Sequence, residues 1–386
     1  MSKLKRSPVR VLLAMVALTG AIIINGDTVG QEKTFPVLGP LPPVPIPRDN
    51  PQTPAKVELG KMLFFDPRTS GDASTSCASC HDPRQGWGDG SDLSRGYPGT
   101  QHWRNSQTVI NSAYLKKLFW AGGVGSLESQ AIAASTGNLA GNGSPEMIQE
   151  RLRQIPEYVR RFKEVFGELP TFLNAVKAIS AFERTVVSDP KKVPFDRYMK
   201  GEKSALSGEA IRGLKLFQGK ARCIQCHNGP LLTDEDFHNL GVPKNSAFTE
   251  DPLRQIAMRF VAKIKGVPNY MKVDRDLGLF LETKRSDDIG KFRTPTLREL
   301  KYTAPYMHNG VFFTLEEVID FYDQGGGSDP NKSPLLKPLG LTAEEKKALL
   351  AFLENLSSSE PILVEAPALP DYEVSPETIK SAKRGD

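Results

Sequence analysis

Four cysteines and five histidines are all that this 386-residue chain contains of either residue, and runs of alternating or β-branched residues are largely missing. So few cysteines argue against a disulfide-built scaffold, and weak strand signals argue against a sheet-based fold. Charge of one sign is lacking too. The formal charge is +5, and setting aside residues 1–30, with their four basic groups and Asp27, leaves 46 basic against 44 acidic residues. A surface so close to neutral argues against nucleic acid as a partner. The longest apolar run, Val11 to Ile24, is short for a bilayer span but suits the core of a signal peptide behind Lys3, Lys5, Arg6 and Arg10. Export to the periplasm is expected. Asn25-Gly26-Asp27 is a poor cleavage site, which leaves an uncleaved N-terminal membrane anchor as the alternative.

The cysteines that are present fall into two elements, Cys77-Ala78-Ser79-Cys80-His81 and Cys223-Ile224-Gln225-Cys226-His227, and none is left over. In a Cys-x-x-Cys-His element both thiols bond covalently to a haem and the adjacent histidine becomes its proximal iron ligand. Two elements imply two covalent c-type haems, with His81 and His227 on iron. Such haems are attached outside the cytoplasmic membrane, in agreement with the export signal. A four-cysteine zinc site would also use two Cys-x-x-Cys pairs. Here, however, 146 residues separate the pairs, and zinc gives no reason for a histidine after each. A thioredoxin-like dithiol would sit beside a β-branched strand, whereas these flanks are glycine, serine and charged residues.

Around the motifs the pattern is helical. Val57, Leu59, Met62, Leu63 and Phe64 recur at helical spacing before Asp66-Pro67, and Ser207 can cap a helix carrying Ile211, Leu214, Leu216 and Phe217. Gly60-Lys61-Met62-Leu63-Phe64 and Gly213-Leu214-Lys215-Leu216-Phe217 read as copies, each just ahead of a haem motif, so the chain is an internal duplication. Each half closes with a helix, over Thr171 to Val187 and over Leu341 to Leu356, the second opened by a Thr342/Glu345 capping box. One more helix is expected over Pro252 to Lys265. The proline-rich arm Phe35 to Pro54 and the tail after Pro361 should run extended, and Ser188 to Ser204 reads as a linker. The expected fold is mainly α: two tandem cytochrome-c-like domains with long loops around two covalent haems. Residues 1–30 are expected to form a signal peptide or anchor, 31–200 an N-terminal haem domain, and 201–386 a C-terminal haem domain.

Several further segments resemble the bacterial dihaem cytochrome c peroxidase and MauG family. They are Phe65-Asp66-Pro67, Cys77 to Asp89, Arg104-Asn105-Ser106, Phe119-Trp120 and Ser126 to Gln130 in the first half. The second half adds Arg293 to Arg298, Thr303 to Gly310 and Thr314 to Glu317. The resemblance spans most of residues 55 to 356. It implies that the first haem reacts with peroxide, that the second stores or relays electrons, and that Trp120 lies between them. Glu146 resembles the family's distal glutamate, the acid–base group for O–O cleavage, and Gln130 its neighbouring glutamine. A glycine-rich expansion, Ser135 to Ser144, separates the two. The alternative for Glu146 is an exposed helix-start carboxylate favoured by the macrodipole. Asn105, Thr303 and Pro305 match positions that bind one calcium ion between the haems.

Two positions distinguish branches of the family. Tyr97 stands where typical peroxidases carry a blocking histidine, and His102 is the nearby substitute. Tyr322 stands fourteen residues after His308, where typical peroxidases place a methionine on the second haem and MauG-type proteins a tyrosine. A phenolate stabilises ferric iron and lowers the potential. Taken alone, Tyr322 could equally be core. His308 is expected to support the haem surroundings through hydrogen bonds.

The resulting expectation is a periplasmic enzyme that uses hydrogen peroxide at an open first haem and takes electrons from a small cytochrome c or cupredoxin. One alternative is MauG-like oxidation of a partner protein's side chains, as in quinone cofactor maturation. Another is a dihaem electron carrier with both irons six-coordinate. The sequence leaves monomer and homodimer open.

Overall fold

The computed structural model describes residues 34–372; the signal or anchor segment lies outside the described residues. Helix α1 (Pro54–Phe65) begins where Thr53 Oγ1 accepts the Lys56 N–H at 3.3 Å and Pro54 occupies a first-turn position that needs no donor. It ends at Asp66, held extended ahead of Pro67. Past the first motif come α2 (Leu127–Thr136), α3 (Pro145–Arg153), α4 (Pro156–Phe166) and α5 (Phe172–Glu183). The second half runs α6 (Pro194–Met199), α7 (Gly208–Gln218), β1 (Phe237–His238), α8 (Ser246–Glu250), α9 (Pro252–Ile264), α10 (Phe280–Thr283), β2 (Phe292–Arg293), α11 (Leu315–Asp323) and α12 (Ala343–Glu354). The fold is mainly helical, and β1 and β2 form a two-residue antiparallel pair, Phe237 opposite Arg293. Among the described residues no helix is long and apolar enough to cross a membrane.

The duplicated segment has a structural reason. Gly60 of α1 packs its backbone on the Ala178 carbonyl of α5, and Phe64 meets Phe182 edge-on with centroids 5.3 Å apart. Gly213 of α7 packs on the Ala348 carbonyl of α12, and Phe217 meets Phe352 edge-on at 5.1 Å. A Cβ at either glycine would overlap the opposing carbonyl oxygen, so a residue without a side chain lets each helix pair close. Gly60→Ala and Gly213→Ala are each expected to destabilise by about 1–3 kcal/mol through overpacking. Denaturant melts of the haem-loaded protein test this, and unchanged midpoints would contradict the close crossing.

Two cores result. Leu59, Leu63, Phe64, Trp87, Tyr158, Phe162, Ile179 and Phe182 build the first, and Phe195, Phe217, Leu232, Ile319, Leu349, Phe352 and Leu356 the second. The two ends of the chain cross over between them. Leu38, in the N-terminal arm, is buried in the second core, while Ile362 and Val364, in the tail, pack on the first. Trp87 Nε1 donates to the Ile362 carbonyl at 2.7 Å.

Some boundaries differ from expectation. The segment read as a linker contains α6, with Val193 and Phe195 fully buried in the second core because Phe195 docks edge-on against Phe352 at 5.7 Å. Helix α5 stops at Glu183, short of Val187, where the Thr185 and Val186 amides turn back to the Phe182 and Glu183 carbonyls at 2.8 and 3.0 Å. The capping box on α12 forms: Thr342 Oγ1 accepts the Glu345 amide at 3.3 Å, and Glu345 Oε2 accepts the Thr342 amide at 2.8 Å.

Candidate functional site

Each Cys-x-x-Cys-His element folds as a short 3-10 turn, Cys77–Ser79 and Cys223–Gln225. The turns close when the His81 and His227 amides donate to the Cys77 and Cys223 carbonyls at 3.0 and 2.8 Å. All four thiols and both imidazoles line one continuous cavity of about 1110 Å³. His81 Nδ1 lies 3.0 Å from the Trp87 carbonyl oxygen, and His227 Nδ1 3.0 Å from that of Leu232. A carbonyl only accepts, so Nδ1 carries the proton in each ring and Nε2 keeps a free lone pair, the tautomer an axial iron ligand needs. Burial lowers the pKa of both imidazoles and keeps them neutral. It pushes the Cys77 and Cys223 thiols up to about 12. Those two thiols are thus protonated, and none of the four cysteines is in a disulfide.

A further observation fits two haems with their anionic propionates. Arg293, 3% exposed, lines the cavity with its Nε unpartnered and Nη1 donating to the Thr294 carbonyl at 3.0 Å. It forms no ion pair among the described residues. A buried guanidinium without a counter-charge costs several kcal/mol on the order of a broken buried pair, and a propionate would supply that charge.

Tyr322 reaches the same cavity from α11, whose start is fixed by a Thr314/Glu317 capping box. Burial, with Cys223 and Cys226 close by, raises its phenol pKa. Its hydroxyl has no protein partner among the described contacts. A cation facing that oxygen would act in the opposite direction and favour phenolate.

Trp120 also lines the cavity. Its Nε1 donates to the Asn105 carbonyl at 3.0 Å, and its own carbonyl accepts the Arg293 amide at 2.9 Å. Its ring stands edge-on to His308 with centroids 6.5 Å apart, and His308 stacks on Phe292 at 3.7 Å. The indole is therefore held by a first-half loop on one side and by β2 on the other. Asn105 Nδ2 donates to the Ser91 and Asp92 carbonyls at 2.9 and 3.3 Å, which leaves Oδ1 without a partner. The Thr303 and Pro305 carbonyls likewise accept no described hydrogen bond, and all three residues line the cavity. Three uncommitted oxygens suit a hard cation such as calcium.

Gln130, on α2, lines the cavity; Glu146 does not. Glu146 lies exposed in the first turn of α3, where Ser144 Oγ donates to its Oε2 at 2.8 Å. That hydrogen bond and the helix start lower its pKa. The structure thus places Glu146, the expected distal acid, at an exposed helix start outside the cavity lining. The glycine-rich expansion runs along the cavity wall as Ser135 and Gly137 to Gly141, and Glu146 falls beyond it. Tyr97 is also outside the lining, its amide bonded to the Leu139 carbonyl at 3.0 Å. His102 lines the cavity, stacked on Trp103 at 4.5 Å. Burial, with help from Arg104, lowers its pKa to about 4, and Nδ1 accepts the Arg104 amide at 3.0 Å. The proton therefore sits on Nε2, which disfavours His102 as an iron ligand.

Two site residues escaped the sequence reading, Arg293 and Glu183. Glu183 follows Phe172, Val176 and Ile179 on one stripe of α5, so its register was visible, but a carboxylate at the end of an apolar stripe gives no sign of what it faces.

Comparison with known proteins agrees with this geometry. The description of the matching family, di-haem cytochrome c peroxidase, covers residues 54–204. Cytochrome-c peroxidase IdrP1 of Pseudomonas sp. strain SCT is 54% identical over 97% of this chain and 99% of that protein. Methylamine utilization protein MauG of Methylorubrum extorquens is 37% identical over 85% of each chain. The crystal structure of a MauG-like protein associated with microbial copper homeostasis superposes with a TM-score of 0.70, at 34% identity over 83% of this chain and 94% of that one. With paired haem motifs facing one cavity and relatives alike along nearly the whole length, the chain belongs to the di-haem cytochrome c peroxidase family.

Proposed function

We propose that this chain is an exported periplasmic peroxidase that reduces hydrogen peroxide at the first motif's haem, with electrons arriving from the second motif's haem through Trp120. The observation that carries the reading is the placement of Trp120 in the wall of one cavity shared by both motifs, pinned to Asn105 on one side and Arg293 on the other. Cys77, Cys80 and His81 would hold the first haem, and Cys223, Cys226, His227 and Tyr322 the second. The haems supply one-electron storage and, at an open iron face, a place for peroxide to bind. Gln130 presents an amide to the first site, able to donate to one peroxide oxygen and accept from the other. Small residues beside it, Ala133, Ala134, Gly137 and Ala140, leave room for a molecule as small as hydrogen peroxide.

Asn105 Oδ1 with the Thr303 and Pro305 carbonyls would hold calcium, tying the loop beneath Trp120 to the second half. A small redox protein, a cytochrome c or a cupredoxin, is the proposed donor. Tyr322 favours a second reading, MauG-like oxidation of a partner protein's side chains, because an anionic oxygen donor stabilises oxidised iron. Steady-state turnover of peroxide with a reduced cytochrome decides between the two. Resting protein should show one high-spin and one low-spin ferric haem, and two low-spin haems inert to peroxide would refute both. Tyr322→Met is expected to raise the second haem's potential in a redox titration while leaving the first unchanged; an unmoved potential would remove Tyr322 from the iron.

A further inference from the structure

We propose that Glu183, at the end of α5, is an acid–base group in the wall of the first haem's cavity. The inference deepens the peroxidase reading and rests on it.

Four carboxylates line the cavity, and three of them are committed elsewhere. Asp276 pairs with Arg104 at 2.5 Å and accepts from Trp103 Nε1 at 2.9 Å. Glu282 pairs with Lys265 at 2.7 Å, and Asp329 with Arg275 at 2.5 Å. The Glu183 side chain has no cationic partner and no hydrogen bond among the described contacts. It is 5% exposed, and its Oε2 is buried and unpartnered. Its neighbour Arg184 makes no hydrogen bond to it: Arg184 Nη2 pairs with Glu128 at 2.7 Å and Nη1 is unpartnered. Most buried polar groups have partners, so an orphan in a cavity wall calls for an explanation outside the protein's own packing.

Its surroundings set its protonation. Cys77 faces it from the first motif, Arg184 follows it on α5, and Glu128 faces it from α2, with Lys56 of α1 beyond, donating to Asn50 Oδ1 at 3.0 Å. Burial is the main influence and pushes its carboxyl up to about 8, with Arg184 pulling down and Glu128 pushing up. At neutral pH Glu183 is thus a carboxylic acid, able to give a proton in an apolar wall. One turn before it, Ile179 lines the same cavity, so α5 presents this proton beside the first motif.

The chemistry balances. Reduction of one hydrogen peroxide to two waters breaks the O–O bond and takes up two electrons from the redox-protein donor and two protons. Glu183 gives one proton to the departing oxygen, which leaves as water, and the carboxylate recovers a proton from bulk water. A second proton reaches the remaining oxygen from solvent.

The test is made on the haem-loaded protein. Infrared difference spectra of wild type should show a carboxylic-acid carbonyl band that fades as pH rises through about 8, and Glu183→Gln should remove it. Because the folded state holds this proton more tightly than the unfolded one, its contribution to stability is full below the ordinary carboxyl range and lost as pH climbs through about 8. Glu183→Gln should flatten that part of the stability profile. Peroxide turnover should fall roughly 100-fold, in the range of general acid–base catalysis, and Glu183→Asp should restore part of it. A Glu183→Gln protein with two haems and undiminished turnover overturns the proposal. So does a wild type without the titrating band, whether or not the variant folds. Two inert low-spin haems in wild type would instead overturn the peroxidase reading, and the band would still report the buried acid.

Discussion

Replacing Arg298 with methionine is expected to destabilise the folded protein by about 3–5 kcal/mol, the cost of stranding a buried charge. Arg298 is 1% exposed and makes a bidentate pair with Asp196, at 3.0 and 2.9 Å. Its remaining donors reach the Pro230 and Gly39 carbonyls, both at 2.7 Å. One guanidinium thus ties α6, the loop after the second haem motif and the N-terminal arm together. Methionine fills the volume but leaves Asp196 without its counter-charge and two carbonyls without donors. The loss is a large share of the roughly 5–15 kcal/mol that folded domains hold. Denaturant unfolding measures it. The double variant Asp196→Leu/Arg298→Met should recover most of the loss, since removing both charges removes the desolvation penalty; equal damage in single and double variants would show that the carbonyl contacts dominate.

The second large effect is on turnover. Trp120→Phe should leave both haems attached and the first still able to react with peroxide, yet slow electron delivery from the second by about 100-fold, equivalent to about 2.7 kcal/mol of activation free energy. Phenylalanine keeps the edge-on contact with His308 but loses the Nε1–H that fixes the ring to the Asn105 carbonyl, and it is far harder to oxidise than indole. Single-turnover mixing with peroxide, followed at both haems, separates the steps. The first haem should respond at the wild-type rate and the second should lag. Matching rates at the second haem would mean that electrons travel by another route.

What was legible in the sequence was short-range. Cysteine and histidine spacing located both haem motifs, and Ser207 and Thr342 marked helix starts because a cap is decided within four residues. The copied Gly60 and Gly213 segments pointed to duplication before the helix crossings were seen. Side-chain direction across a loop was not legible. Glu146 resembles the family's glutamate in its local sequence, but the glycine-rich segment between it and Gln130 leaves it outside the cavity lining. Glu183 lay in register with Ile179 without drawing notice, because lack of a partner is a property of the packed molecule. The same holds for Arg293, whose motif was recognised while its unmet charge was not.

The crossed ends of the chain bear on how the protein is made. The bond from Trp87 to Ile362 spans 275 residues, and the arm around Leu38 belongs to a core completed by α12. During synthesis the N-terminal half emerges first, yet its core stays unsealed until the stretch carrying Ile362 and Val364 has followed. Trimming the arm around Leu38 should therefore harm the second core more than the first, and trimming the stretch around Ile362 the first more than the second.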